Sequence, residues 1–430
     1  MLLTEDLLHY VWKFKLFDRT DLRTTAGEPI EILNAGIHNF NSGPDFQNAR
    51  LKIGDTVWAG NVEIHTSPGD WLKHGHDTDD AYNNVILHVV HQGDHPIVTA
   101  AGRVLPALEL QGRIPEDLYL RYHQLIYGLK RTIPCESAIG TVSEMTLHNW
   151  LTRMTIERLQ DKAAAVIRTL EVNRGNWEET FYQHLAANFG FKINALPFEL
   201  LARSLPQTIL AKHKNNGLQV EALIFGQAGM LTDDLTEEYP VRLRTEYAFL
   251  QKKYSLRPIE QHLWKFMRLR PSNFPTIRLA QFAALTVASS HLFSKVLETS
   301  SVAELRKLFS NIVVNDYWKD HYRFGKESKP SSKNLGGSSV DLLLLNTVAV
   351  CLFAYGDHLK LEKYVDQALK LLENLPLEHN NIVNDFKAMG VKANNAFASQ
   401  ALIQLKNKYC DHKKCLNCGI GNQILNTNRS

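Results

Sequence analysis

Asp45, Glu63 and His65 fall within the stretch NSGPDFQNARLKIGDTVWAGNVEIH, residues 41–65. Read as two strands turning at Gly54-Asp55, this stretch puts Glu63 and His65 on one face and Val62 and Ile64 on the other. Asp45 stands after Pro44 at the mouth of the first strand. Two carboxylates on adjacent strands can share a hard divalent cation such as Mg²⁺ or Mn²⁺, and the backbone carbonyl of Ile64 can add a further oxygen. His65 points at the same space. There it can hold an attacking water or stabilise charge on a reacting phosphorus. His76, next to Asp77 and just ahead of the following strand, is an accessory catalytic candidate.

A second chemistry competes for the same region. Six of the eighteen histidines, His65, His74, His76, His88, His91 and His95, lie within 31 positions. With Asp70, Asp77, Asp79 and Asp80 they can build a zinc site instead. The metalloprotease pattern is absent: His91 and His95 have its spacing, but Gln92 replaces the glutamate and Gly93-Asp94 reads as a turn. His88 sits in the apolar run 85–90 and is expected to be a hydrogen-bonded core histidine.

Three of the five cysteines, Cys410, Cys415 and Cys418, crowd into nine positions near the C-terminus. That spacing suits a tetrahedral thiolate site for zinc, with an iron–sulfur cluster as the alternative. The fourth ligand is open between His412, which is local, and Cys135, which is distant. Cys351, in an apolar run, is expected to be a buried core thiol. In the middle of the chain, Arg268, Arg270, Asn273 and Arg278 surround two helix-breaking prolines, Pro271 and Pro275. A nucleic-acid phosphate could sit at the start of the following helix, and a capped turn between helices is the competing reading.

Elements must hold these groups in place. The chain has 430 residues, 44% of them hydrophobic and 22% charged, with a net charge of +3. This length favours two or three domains, and so small a charge does not by itself imply nucleic acid. Glu5, Asp6 and His9 interrupt any apolar signal segment, and no apolar run reaches about 18 residues. A cytoplasmic protein without a membrane span is expected. Thr4 reads as a helix cap, with Leu7, Leu8, Val11 and Trp12 as the buried face. Strands are expected over 29–33, 46–53, 56–65, 84–90, 97–100 and 104–110. From about Ser143 the apolar spacing becomes helical, and residues 326–339 read as a flexible basic loop. The fold class expected is α+β, a mixed α/β sheet domain (1–133), a helical domain (134–405) and a cysteine-rich tail (406–430).

Pro44-Asp45 followed by Glu63-Ile64-His65 resembles the PD-(D/E)xK phosphodiesterase motif, with His65 where that superfamily usually has lysine. The order of helix and strands over residues 1–130 is similar to its core. This resemblance implies a metal-dependent nuclease acting on DNA or RNA. Asp45 and Glu63 would hold the metal, and Asp45, Glu63, His65 and His76 would form the catalytic set. Some nucleases of that kind carry an iron–sulfur cluster with one distant cysteine and three clustered ones; here Cys135 follows the proposed catalytic strands. Over most of its length the chain also resembles an uncharacterised bacterial protein family of unknown function. The residues that carry this are Trp58 to His65, Asp70-Trp71, His74 to His76, Asn84 to Val90, and Arg270 to Pro275. The alternatives to a nuclease are a non-catalytic nucleic-acid- or protein-binding module on the same fold, and a zinc-dependent hydrolase built on the histidine cluster.

Overall fold

The computed structural model describes residues 3–93, 95–128 and 132–426; Asp94, half of the expected Gly93-Asp94 turn, lies outside them. Two compact units form, one from Met1–Trp150 with Lys406–Ser430, the other from Leu151–Leu405. As expected, an N-terminal mixed sheet is followed by a mostly helical region, an α+β architecture.

In the first unit, α1 (Glu5–Phe14) begins where Thr4 caps it, the Thr4 hydroxyl accepting the Leu7 N–H at 3.3 Å. Leu7, Leu8, Val11 and Trp12 are fully buried. The sheet contains β1 (Ile30–Asn34), β2 (Ile37–His38), β3 (Phe46–Ile53), β4 (Thr56–His65), β5 (Val85–Val90) and β6 (Ala107–Glu109). Its order is β1-β3-β4-β5-β6, with β2 alongside β3. β3 and β4 are antiparallel, whereas β4 with β5 and β5 with β6 are parallel. β5 is buried at every position, as a near-continuous apolar strand covered on both faces must be.

β4 changes character along its length. Its first residues are exposed and its last four, Val62 to His65, are buried. α1 packs against it. Gly60 marks the transition: a Cβ there would stand 2.4 Å from Ile86 and 2.5 Å from the Asn84 carbonyl, so only glycine lets β4 approach β5 at this register shift. The polar pair Glu63 and His65 is thereby carried into the interior.

Some elements depart from the sequence expectation. Residues 97–100 form only an isolated bridge, Val98 with Val104, and no strand. Between β4 and β5, α2 (Asp70–Lys73) is a single turn. α3 (Glu116–Tyr127) follows the sheet. The cysteine-rich tail ends in a helix, Gly419–Asn426, that buries Ile420, Ile424 and Leu425.

The second unit is built of helices around a core that includes Phe198, Phe225, Phe282 and Trp318. Helical apolar spacing runs through residues 276–293, but two helices form there, Pro275–Ala288 and Leu292–Glu298, separated at His291, whose φ is +50°. The segment 326–339 is more ordered than a flexible loop. Lys326–Glu327 pairs with His321–Arg323, and Lys333 is buried with its ammonium donating to the Lys319 and Ser331 carbonyls at 3.0 and 3.1 Å. Among the described residues, one helix, Gly337–Leu359, is long and apolar enough to cross a membrane. Its most apolar window is 67% buried inside the protein, which makes it a core helix.

Candidate metal centre

The end of β4 and the start of β3 bring the expected acids together. The Asp45 N–H donates to Glu63 Oε2 at 3.1 Å, and the Ile64 N–H donates to Asp45 Oδ2 at 2.9 Å. Ile64 itself lies in the ladder opposite Val89. His9, from α1, places Nε2 3.1 Å from the same Asp45 oxygen. His9 is absent from the sequence-derived set; its only signal there is a polar side chain between Leu8 and Tyr10 on a helix that buries both.

Around Glu63 the imidazoles converge. His65 Nε2 lies 3.5 Å and His76 Nε2 3.2 Å from Glu63 Oε1. His65 Nε2 is also 3.2 Å from His74 Nδ1. The other nitrogen of His65 is 2.9 Å from His88 Nε2. One ligand atom from each of His65, His74 and His76 lies within 4.8 Å of the others. His88 is a core histidine, as expected, but its partner is the site. Trp71 meets His65, His76 and His88 edge-on, and Tyr82 stacks on His76 at 3.8 Å. The loop carrying α2 thus supplies both the histidines and the aromatic wall that fixes their rings. His91 and His95 have no part in this cluster.

The charges fit a cation. Burial pushes the Asp45 carboxyl up, but the hydrogen bond and charge of His9 and the Ile64 N–H outweigh it, so Asp45 falls below its ordinary value. Burial lowers His9, yet Asp45 and the acids Asp6 and Glu5 raise it above its usual value. Glu63 is raised, chiefly by burial and secondarily by the Asp45 charge, against the opposing bond from His76. Burial, then the neighbouring imidazoles, takes His65 down to about 4 and His88 to about 3. Both are therefore neutral near pH 7, the form in which imidazole ligates metal.

The distances allow a test of fit. Ligands about 2.0–2.1 Å from a tetrahedral ion are separated by about 3.3–3.4 Å. The His65–His74 separation of 3.2 Å matches that edge, and His76 brings a ligand atom within 4.8 Å of both. Imidazole-rich sites suit zinc and other transition ions better than Mg²⁺, which prefers oxygen. Asp45 contributes to this set only through Glu63, because its Oδ2 is already engaged by His9 and Ile64.

The cysteines form a second cluster in the same unit. Cys135, Cys410, Cys415 and Cys418 are buried and free of disulfides. Burial raises the thiol of each. Cys135 also feels Cys418, while Cys410 feels Cys135, Cys418 and Cys415 in turn. Cys135 therefore lies near the three tail cysteines. His412 is exposed and lines a cavity with Lys413 and Lys414 instead. The Gly421 and Ile420 N–H groups donate towards the Cys418 sulfur and oppose the effect of its burial. A neutral thiol is a weak acceptor; several donors on one sulfur suit a thiolate. Gly421 closes this turn, since a Cβ there would fall 2.2 Å from the Cys415 carbonyl. Cys351 is a core thiol of the second unit, as expected.

Beside His9 a cavity of about 560 Å³ opens. It is lined by Lys13, Lys413 and Lys414 and by the exposed rings of Phe40 and Tyr127. Of the basic residues in the middle of the chain, Arg270, Asn273 and Arg278 meet at one cavity in the second unit; Arg268 is exposed and does not line it.

The chain belongs to the DUF2851 family, described as proteins of unknown function, whose model matches residues 5–381. No curated protein and no solved structure matches it.

Proposed function

We propose that the first unit is a metal-dependent hydrolase centre acting on phosphodiesters of DNA or RNA, with His65, His74 and His76 as the metal ligands. The observation that carries this is the convergence of three imidazoles within 4.8 Å of one another, two of them in contact with Glu63. Zinc or manganese suits them, and when bound it would polarise a phosphoryl oxygen and lower the pKa of water.

The chain's own groups divide the remaining work. Glu63, held by the Asp45 N–H and raised above an ordinary carboxylate, takes the proton of the attacking water and returns it to the leaving group. His88 accepts or donates at His65 Nδ1 and so fixes the ring that faces Glu63. His9, beside Asp45, lies at the edge of the cavity, where Lys13, Lys413 and Lys414 suit a phosphate backbone and Phe40 and Tyr127 suit bases. Placement of Asp45, just ahead of β3, beside Glu63 on β4 supports the phosphodiester substrate.

The second reading keeps a hard cation, Mg²⁺ or Mn²⁺, on Asp45 and Glu63 with His65 assisting. Mutual contact of the two acids favours it, although one Asp45 oxygen is already taken. Hydrolysis of bis(4-nitrophenyl) phosphate and of labelled single- and double-stranded DNA and RNA, with each metal in turn, separates the two. Zinc- or manganese-dependent turnover that His74→Ala removes supports the histidine centre. Activity with Mg²⁺ that is indifferent to His74 supports the carboxylate pair. Salt-dependent binding of nucleic acid without turnover by any metal is the result expected of a non-catalytic module.

At the tail, we propose a tetrathiolate metal site formed by Cys135, Cys410, Cys415 and Cys418, zinc first and an iron–sulfur cluster as the alternative. The donors onto Cys418 and the meeting of four of the five cysteines support it. Residues 412–414, between these ligands, line the cavity beside His9, so this metal would hold one wall of the proposed substrate cleft. The visible spectrum of anaerobically purified protein separates the metals, since a cluster absorbs and zinc does not. Reduced thiols of this kind accord with a cytoplasmic setting.

A further inference from the structure

In the second unit a cavity of about 540 Å³ is lined by Arg270, Asn273, Arg278, Gln281, Lys333 and the start of the helix Gly337–Leu359, and no acidic residue lines it. Arg278 is 5% exposed. Its guanidinium donates to Gln281 Oε1 at 2.9 Å, Asn273 Oδ1 at 2.6 Å and Ser339 Oγ at 3.1 Å, all neutral acceptors. Phe191 covers one face at 4.4 Å. Its Nε has no partner. Among the described residues no carboxylate pairs with it. A buried cation without a counter-charge costs several kcal/mol, and native proteins rarely leave that cost unmet.

The helix start supplies a second, independent feature. Gly336 is the N-cap and offers no side-chain oxygen, so the first N–H groups are not capped by a side chain. Gly336 and Gly337 face open space, with nothing within 4 Å of where a Cβ would be. Ser338 and Ser339 put hydroxyls at the same rim. An uncapped helix start carries partial positive charge and free donors, which favours an oxyanion. Lys333 adds its field, while its ammonium donates to the Lys319 and Ser331 carbonyls and ties the loop to the preceding turn. The Gln281 amide donates to the Lys333 carbonyl at 2.6 Å, tying the loop to Arg278 through one side chain.

We infer that this cavity binds the phosphate group of a small phosphorylated molecule, with Arg278, Asn273, Ser339 and the Gly337–Ser338 backbone as its cradle. The volume is that of a small-ligand pocket. Arg270, exposed at the rim, would meet the rest of the ligand.

Inorganic phosphate titrated into the full-length protein, followed by calorimetry and by the melting temperature, tests this. Saturable binding and a rise in melting temperature are expected. Ser338→Asp is the decisive variant: an acid at a helix start stabilises the helix while filling the cradle with negative charge. It should fold with an undiminished melting temperature and lose at least tenfold in phosphate affinity. Arg278→Lys should lose affinity as well. His74→Ala should bind phosphate as the wild type does, which separates this cavity from the metal centre. No saturable binding, or equal affinity in Ser338→Asp, overturns the assignment.

Discussion

The two units hold polar centres of opposite sign. In the first, buried Glu63 stands among imidazoles, with Asp45 already matched by His9. In the second, buried Arg278 stands among amides and hydroxyls with no acid facing it. Among the described residues, neither forms an ion pair with a side chain of fixed opposite charge. The first wants a cation with nitrogen and oxygen ligands, and the second wants an anion. The sign of the unmatched charge, more than the fold around it, sets the chemistry each centre can perform.

The strongest way to break this contrast is to remove the negative member. Glu63→Gln keeps the shape and loses both charge and proton acceptor. Hydrolysis should fall by about 10²–10⁴, the usual contribution of a general base. Unchanged turnover of bis(4-nitrophenyl) phosphate in this variant would remove Glu63 from the chemistry.

Cys135→Ser tests whether the first unit is also fastened by metal. The tail should lose its ion and the melting temperature should drop by several degrees, because structural metal binding is folding free energy. Cys351→Ala, in the core of the second unit, should leave metal content untouched. Elemental analysis of both variants makes the comparison, and equal metal loss would dissolve the distinction between them.

A smaller effect sharpens the contrast from within the second unit. Glu221 is also buried, and burial pushes it up to about 7 even though Tyr239 and Asn315 hydrogen bond to it. It resolves its burial by staying protonated, where Glu63 is surrounded by ligands for a cation. Below its ordinary value of 4.5 the folded and unfolded chains both carry the proton, and Glu221 has no pH-dependent effect. Between there and about 7 the unfolded chain ionises first, so its contribution to stability falls as pH rises and then levels off. Glu221→Gln should therefore gain on the wild type by on the order of 3 kcal/mol at pH 8, at about 1.4 kcal/mol per pKa unit, and by little at pH 4. Denaturant melts at the two pH values measure it, and a pH-independent difference would contradict it.

Local pattern made much of the first unit readable. β3, β4 and β5 follow from apolar alternation and turn residues, and α1 from Thr4 and its buried face. The pairing of Glu63 with His65 is a consequence of strand period alone. Residues 97–100 have the composition of a strand but only one bridging neighbour, and pairing is a tertiary property. His291 broke a helix that apolar spacing carried straight through, because a single left-handed residue leaves little trace in a hydrophobic pattern. The contact of His9 with Asp45 joins α1 to the sheet, and the meeting of Cys135 with the tail joins two distant segments. Neither pairing has a sequence period to betray it. The basic composition of 326–339 implies a solvated loop, and nothing in it betrays the burial of Lys333, which depends on the Lys319 and Ser331 carbonyls that only the folded chain presents.

The central claim is that His65, His74 and His76 hold a metal ion. His74 is exposed, so replacing it disturbs packing least. Zinc and manganese bound per chain, measured after exhaustive dialysis on the wild type and on His74→Ala, give the direct test. The wild type should carry one equivalent more than the variant, with the two melting within a few degrees of each other. Equal metal content in both would contradict the histidine centre.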